Sequence, residues 1–337
     1  MISVIIPAYN ESEGIGLLYG RLTRCAETWE EDYEVILVDD GSKDNTLALS
    51  EEIARKDPCW KVVSLSRNFG HQPAVTAGLE HARGDLIAVM DADLQDPPEE
   101  LHRFFAKCRE GYDVVYAIRT KRKEHFVKRF CYWLFYRTMS WMSDIEIPLD
   151  SGDFCVMSRR CVDALNSLPE RSRFIRALRS WVGFKQTGLH YERQARVAGE
   201  PKYTFSKLMN LASDGIINFS QKPLRLISVT GMVMSCLAIL LGIFVLVSYV
   251  CNWTFLSYNP RQTQGWTSLM LAVLFFTGVQ LFCLGVIGEY IGRLFDEIKQ
   301  RPVYMVGKTV NMETGSEVHT ERLSVYRESE LARVSNG

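Results

Sequence analysis

The first third of the chain alternates short β-branched or aliphatic runs with longer stretches in which apolar residues recur at helical spacing. Ser3 to Ile6, Val35 to Val38, Val62 to Leu65 and Leu86 to Met90 read as strands, with helices predicted near 12–28, 44–56, 72–82 and 98–109 between them. Runs that are apolar throughout, rather than at every second residue, belong to a mostly parallel sheet covered on both faces, so the fold class is α/β. Ligands of such sheets bind beyond the carboxyl ends of the strands. Three segments predicted at that edge carry polar chemistry: Pro7-Ala8-Tyr9-Asn10-Glu11, Asp39-Asp40-Gly41-Ser42 and Asp91-Ala92-Asp93-Leu94-Gln95. A further strand, Val114 to Ala117, leads to Arg119.

The pattern changes in the second half. Ile227 to Val250 and Trp266 to Val286 contain no Lys, Arg, Asp or Glu, and each meets the length of about 20 residues that a transmembrane helix needs. Two spans are therefore predicted, at about 227–250 and 266–290. Lys222 and Arg225 precede the first and Arg293, Lys299 and Arg301 follow the second, an arrangement that puts the α/β part and both termini in the cytoplasm. The loop Cys251 to Gly265, whose one charge is Arg261, then faces the other side, with Trp253, Tyr258 and Trp266 as an aromatic belt. Glu289 sits at the edge of the second span and is given no intramembrane role.

Two amphipathic stretches precede the spans. Near 126–142, Phe126, Phe130, Trp133, Leu134 and Trp141 interleave with Lys128, Arg129 and Arg137; from Tyr203 to Gln221 the apolar positions include Phe205, Leu208, Met209, Ala212, Ile216 and Phe219. Both suit helices lying on anionic headgroups, and helices packed on the sheet would show the same pattern. The chain thus divides into an α/β domain (1–202), a juxtamembrane amphipathic helix (203–225), the two spans (226–292) and a C-terminal tail (293–337). After Val306 the tail is polar, mixed in charge and without a clear period, which predicts a flexible segment.

With 337 residues and 47% hydrophobic content there is ample material for a core, and a net charge of −1 conceals the basic cluster at 121–137 beside the uncharged spans. That adjacency favours a membrane over nucleic acid as the partner of the basic residues. Nine cysteines without C-x-x-C spacing argue against a disulfide framework or a zinc site. Ile2 to Ile6, ended by Pro7, is too short for a secretory signal. There is no G-x-G-x-x-G after the first strand and no P-loop motif, so dinucleotide-binding and P-loop readings lose their main support.

The Asp91-Ala92-Asp93 run places two carboxylates, with the Gln95 amide alongside, directly after a buried strand. Hard cations such as Mg²⁺ and Mn²⁺ take oxygen ligands and complete their shell with substrate phosphates, which suits a metal-bound diphosphate and hence a nucleotide. An isolated D-x-D before Pro97-Pro98 would more simply be a turn or helix cap, so its neighbours decide the matter.

Taken together, Ser3-Val4-Ile5-Ile6-Pro7-Ala8-Tyr9-Asn10-Glu11, Val38-Asp39-Asp40-Gly41-Ser42 and Met90-Asp91-Ala92-Asp93-Leu94-Gln95 with Pro97-Pro98-Glu99 resemble an inverting GT-A (Rossmann-like) glycosyltransferase. Ser151-Gly152-Asp153-Phe154, Arg196-Val197-Ala198-Gly199-Glu200-Pro201-Lys202-Tyr203 and Gly288-Glu289-Tyr290-Ile291-Gly292-Arg293 narrow the resemblance to polyprenyl-phosphate glycosyltransferases, over roughly residues 1–306. These are the dolichyl-phosphate mannose synthases and, nearer, the bactoprenol glucosyltransferases. Pro201 departs from the Ser or Thr more usual in that family's G-E-[ST]-K-Y.

The resemblance implies roles. Pro7, Tyr9, Glu11, Val38 and Asp40 would hold the nucleotide, Asp40 by accepting an N–H that uracil and guanine both offer. Asp91, Asp93 and Gln95 would hold Mg²⁺ or Mn²⁺ and the diphosphate, Arg119 would contact the donor, and Lys128 or Arg129 with Arg196 and Lys202 would engage the lipid phosphate. Asp153 is the candidate base or acceptor-orienting carboxylate, although an Asp in a Ser-Gly-Asp turn often only fixes the backbone. The implied reaction moves a hexose, with UDP-glucose the first choice of donor, onto polyprenyl phosphate with inversion; GDP-mannose and UDP-linked amino sugars or pentoses are alternatives. A homo-oligomer built on the spans is also expected from the resemblance. A processive polysaccharide synthase would need more spans and a Q-x-x-R-W motif, and an inactive scaffold should have lost one of Asp91, Asp93, Arg119 or Arg196; neither condition is met.

Overall fold

A computed structural model describes residues 1–119, 151–171, 173–192, 222–251 and 265–312. Its sheet contains β1 (Ile2–Ala8), β2 (Tyr33–Asp39), β3 (Trp60–Leu65), β4 (Leu86–Val89), β5 (Val114–Arg119), β6 (Ser151–Ser158), β7 (Gln186–Tyr191) and β8 (Val306–Val310), in the order β7-β5-β6-β4-β1-β2-β3-β8. β1 is wholly buried at the centre, parallel to β2 from Ile2↔Tyr33 to Ala8↔Asp39 and to β4 from Ile2↔Leu86 to Ile5↔Val89. β2 with β3 and β5 with β7 are also parallel, whereas β6 runs antiparallel between β4 and β5. The sheet is mostly parallel, as expected.

Helices cover both faces. Val4 and Ile6 of β1 point to one side, where Ile15, Leu18 and Leu22 of α1 (Ser12–Ala26) and Phe104 and Phe105 of α4 (Leu101–Arg109) pack. Ile5 points to the other, against Ala74, Val75 and Leu79 of α3 (His71–His81) and near Val162 and Leu165 of α5 (Arg159–Ser167). The second face is tight: a Cβ on Gly78 would lie 2.1 Å from Ile5 Cγ2. α2 (Thr46–Lys56) and the short α6 (Ile175–Trp181) complete this domain. Because β1 leads to β2 on one side and is flanked by β4 on the other, the chain changes winding direction between β1 and β4, and a crevice opens at their carboxyl ends.

Two expectations are corrected. The Ser151-Gly152-Asp153 segment is no turn but the start of β6, because Phe154 and Val156 on one face and Cys155 and Met157 on the other are all buried by the two helix layers. The tail is anchored as far as Met312: Val306–Val310 adds antiparallel to β3, with Val62 opposite Val310. Around it Tyr304 Oη donates to Glu80 (2.6 Å), Lys308 pairs with Glu51 (2.6 Å), and Asn311 Nδ2 donates to the Trp60 carbonyl (2.9 Å). The stabilising contacts are tertiary, which is why a five-residue edge strand with most of its side chains exposed shows no period.

Between β7 and β8 in the chain lie two long helices, α7 (Lys222–Val250) and α8 (Trp266–Ile298), and they contact each other. α8 outlasts the predicted span by about two turns, and Glu297 near its end accepts the Arg171 backbone N–H at 3.1 Å. Within α8, Arg293 pairs with Glu289 at 3.1 Å. Among the described residues one segment, Phe275–Ile298, is long and apolar enough to cross a membrane by length and composition. The amphipathic stretches 126–142 and 203–221 lie outside the described residues, as do Trp253 and Tyr258.

Candidate active site

The crevice is floored by the loops that end β1, β2 and β4. The first two are stitched together: Asn10, at φ 53°, accepts the Lys43 N–H on Oδ1 (2.8 Å) and donates its own N–H to Ser42 Oγ (3.0 Å), while the Glu11 N–H reaches Thr46 Oγ1 (2.9 Å). Asp44 adds to the seam by accepting from the Ser12 N–H (3.2 Å) and the Thr46 N–H (3.0 Å). Pro7 and Val38 stand opposite each other in the β1–β2 register and are buried; Tyr9 and Glu11 are partly exposed at the rim.

Asp40 is buried, and its oxygens accept the backbone N–H groups of Phe69 (2.7 Å) and Gly70 (2.9 Å). Burial pushes its carboxyl up despite these bonds. Its first task is therefore to hold the 67–70 loop, and a nucleotide base would reach it as a further partner of the remaining lone pairs. Gly41, at φ 64°, lets that loop approach: a Cβ would fall 2.5 Å from the Arg67 carbonyl carbon.

Asp91, Asp93 and Gln95 follow β4. Leu94 takes φ 56° and the Gln95 N–H is held by Asp93 Oδ1 at 3.1 Å, so a tight turn fixes the pair; Asp91, Asp93 and Gln95 all keep partial exposure to the crevice. Below them Asp96 is buried and accepts from Tyr191 Oη. Burial and the nearby Asp153, Asp96 and Asp93 carboxylates push the Asp91 carboxyl up to about 6, against the pull of His71. A concentration of negative charge with oxygen donors facing solvent fits a hard divalent cation. Among the described residues no three His, Cys, Asp or Glu side chains form a ready metal shell, so further ligands would come from phosphate oxygens and water.

The site includes residues that no sequence pattern marked. His71, the first residue of α3, lies with Nε2 3.5 Å from Asp153 Oδ2 and 3.9 Å from Asp91 Oδ1. Arg176 of α6 clasps Asp153 from the other side, Nη2 at 3.1 Å from Oδ2 and Nε at 3.3 Å from Oδ1. Behind them the buried Arg179 donates to the Gly152 carbonyl at 3.2 Å. Burial opposes ionisation of Asp153, yet Arg176, the hydrogen bond from His71 and Arg179 hold its carboxyl far below the usual carboxylate range. Burial likewise opposes a charge on His71, but the Asp153 hydrogen bond and the Asp91 and Asp153 charges raise it to about 9. Segments near 71, 91, 153 and 176 meet here only through the fold, and a lone His after Gly70 or an Arg in a short helix carries no signal of its own.

Arg119 ends β5 opposite Tyr191. Its side chain, and Lys128, Arg129, Arg196 and Lys202, lie outside the described residues.

Comparison with known proteins shows the family. Residues 3–165 match the model of glycosyl transferase family 2, and residues 222–294 match that of the GtrB C-terminal hairpin. An uncharacterized glycosyltransferase of Bacillus subtilis is 46% identical over 92% of this chain and 94% of its own. An SfII prophage-derived bactoprenol glucosyl transferase of Shigella flexneri is 38% identical over 91% of this chain and 98% of its own, and a prophage bactoprenol glucosyl transferase homolog of Escherichia coli is 37% identical over 90% and 98%.

Proposed function

The chain belongs to glycosyl transferase family 2, among relatives that include bactoprenol glucosyl transferases, and from that premise we propose that it transfers glucose from UDP-glucose to polyprenyl phosphate with inversion at the membrane surface. The observation that carries this reading is the meeting, at the switch point of the sheet, of Asp91 of the D-x-D with an Asp153 carboxylate clamped by His71 and Arg176.

The acceptor explains why no strong base is needed. A phosphate monoester has its second pKa near 6, so the attacking oxygen is largely ionised at neutral pH. That oxygen forms a bond to the anomeric carbon from the face opposite the leaving group; the bond from the anomeric carbon to the donor's β-phosphate oxygen breaks, and UDP departs with that electron pair. Asp153, clasped by Arg176 at 3.1 Å and beside His71 at 3.5 Å, is held in one orientation, which fits a carboxylate that orients groups on the acceptor side. Asp91 and Asp93, with Gln95 beside them, would hold Mg²⁺ or Mn²⁺, which supplies charge stabilisation to the departing diphosphate. Pro7, Tyr9, Glu11, Val38 and Asp40 would cradle the nucleoside, Arg119 would reach the donor phosphates, and Lys128, Arg129, Arg196 and Lys202 would collect the lipid phosphate.

Membrane residence by two spans is supported by the exposed apolar surface of both long helices. Val229, Met232, Val233, Ile239, Leu240 and Ile243 of α7 and Leu269, Val273, Phe275, Leu281 and Phe282 of α8 are each at least half exposed. Soluble proteins rarely expose so many large apolar side chains on neighbouring helices without a partner. The hairpin match over 222–294 fits two helices joined as a pair; in this reading the flanking Lys222, Arg225, Arg293, Lys299 and Arg301 place the catalytic domain and termini in the cytoplasm, and a homo-oligomer would form through the hairpin.

The test is a panel of radiolabelled nucleotide sugars offered to the purified chain with polyprenyl monophosphate or the free polyprenol. Label should enter the lipid phase from UDP-glucose and only with the monophosphate. Label reaching neither lipid with any donor would overturn the reading; transfer from GDP-mannose or a UDP-amino sugar alone would overturn the choice of donor.

A further inference from the structure

His71 and Gln72 open α3 directly after Gly70, whose N–H is fixed by Asp40 in the donor loop. His71 turns to the crevice, with about two-fifths of its side chain exposed, and reaches Asp153 at 3.5 Å. Gln72 turns the other way, and its Oε1 accepts the N–H of Ile175 at 2.9 Å, at the start of the helix that carries Arg176 and Arg179. Two consecutive residues thus fix both the Asp153 carboxylate and the helix whose arginine clasps it.

We propose that His71 is a positioning residue for Asp153: its imidazole Nε2–H holds the carboxylate toward the crevice, so that a folded donor loop dictates where the acceptor phosphate is received. The proposal rests on the transferase reading above. His71 Nε2 lies 3.5 Å from Asp153 and 3.9 Å from Asp91, so its charge acts on both carboxylates while only the Asp153 contact is within hydrogen-bond range; a neutral residue that keeps the N–H tells the two apart.

The experiment uses the full chain in detergent with UDP-glucose and polyprenyl monophosphate, comparing the unaltered protein with His71→Ala, His71→Gln, Asp153→Asn and the His71→Ala/Asp153→Asn pair. His71→Ala should lower kcat/KM for the lipid phosphate about 10- to 100-fold, the scale of a misplacement of about 1 Å. Donor KM and Mn²⁺ affinity, the latter read from the free-ion paramagnetic resonance signal without turnover, should agree within about threefold between His71→Ala and His71→Gln, because both lose the imidazole charge beside Asp91. Donor hydrolysis to water should persist, so the ratio of hydrolysis to transfer rises. His71→Gln places an amide N–H near the Nε2 position and should recover most of the transfer, which also shows that the fold survives at this site. The double variant should be no worse than Asp153→Asn alone, because residues acting as one unit are not additive. Unchanged transfer in His71→Ala, a Mn²⁺ affinity that follows transfer between His71→Ala and His71→Gln, failure of His71→Gln to exceed His71→Ala, or additive losses would each overturn the proposal while leaving the transferase reading intact. Absence of transfer by the unaltered chain would overturn the reading itself, and the proposal with it.

Discussion

Removing the Tyr304 side chain should loosen the whole catalytic sheet, although this residue lies beyond both long helices. Tyr304 is 6% exposed, packs with the core that contains Ile5, Val63 and Leu79, and donates to Glu80 at 2.6 Å. A buried tyrosine withdraws about 150–250 Å² from water, which at about 25 cal/mol per Å² sets an upper bound of about 4–6 kcal/mol. Compact unfolded chains reduce that bound, and measured aromatic-to-alanine losses begin at about 3 kcal/mol. Tyr304→Phe removes only the hydroxyl, worth about 1 kcal/mol. For a domain of this size each kcal/mol shifts the midpoint by about 2–4 °C, so Tyr304→Ala should melt about 6–12 °C lower and Tyr304→Phe about 2–4 °C lower. Midpoints of the purified chain in one detergent at one scan rate provide the comparison. A Tyr304→Ala midpoint within about 1 °C of the unaltered protein would refute the claim that β8 and its flanks anchor the sheet.

Gly78→Ala should destabilise by about 1–3 kcal/mol, measured by the same midpoints, because its Cβ would overlap Ile5 Cγ2 at the centre of a close-packed face. Asp44 links stability to pH: burial opposes its ionisation, but hydrogen bonds from Thr46 and Ser12 bring its carboxyl down to about 2 from 3.8. Its contribution is full above about pH 4, the unfolded value, and is lost as pH falls through about 2, so the advantage of the unaltered protein over Asp44→Asn should be constant from neutral pH to about 5 and shrink below 4. A difference that grows on acidification would contradict the assignment. A reporter inserted between Asn252 and Gln264 should be found outside the cytoplasm and reporters at both termini inside; a cytoplasmic loop reporter would remove the two-span topology.

Legibility in the sequence followed burial. β1 to β4 are visible as mostly apolar runs because both faces of the parallel sheet are covered, and the D-x-D stands out because two carboxylates directly follow one such run. β6 was hidden because its first residues, Ser151-Gly152-Asp153, have turn chemistry that the flanking strands override. β8 was hidden because Val-Gly-Lys-Thr-Val gains its place from Tyr304, Lys308 and Asn311 meeting residues at the other end of the chain. Within the site, Asp91, Asp93 and Asp153 were legible as acidic residues in marked motifs. His71 and Arg176 were not, since what joins them to Asp153 is the packing of α3 and α6 rather than any spacing.

The most direct measurement is divalent-dependent formation of lipid-linked sugar by the purified chain. With labelled UDP-glucose and polyprenyl monophosphate, extraction into organic solvent should recover product only when Mg²⁺ or Mn²⁺ is present. Asp91→Ala and Asp93→Ala should lose about 100-fold or more while remaining folded and membrane-bound. Full turnover in excess chelator, or in either variant, would contradict the assignment of this carboxylate pair to a metal-held diphosphate.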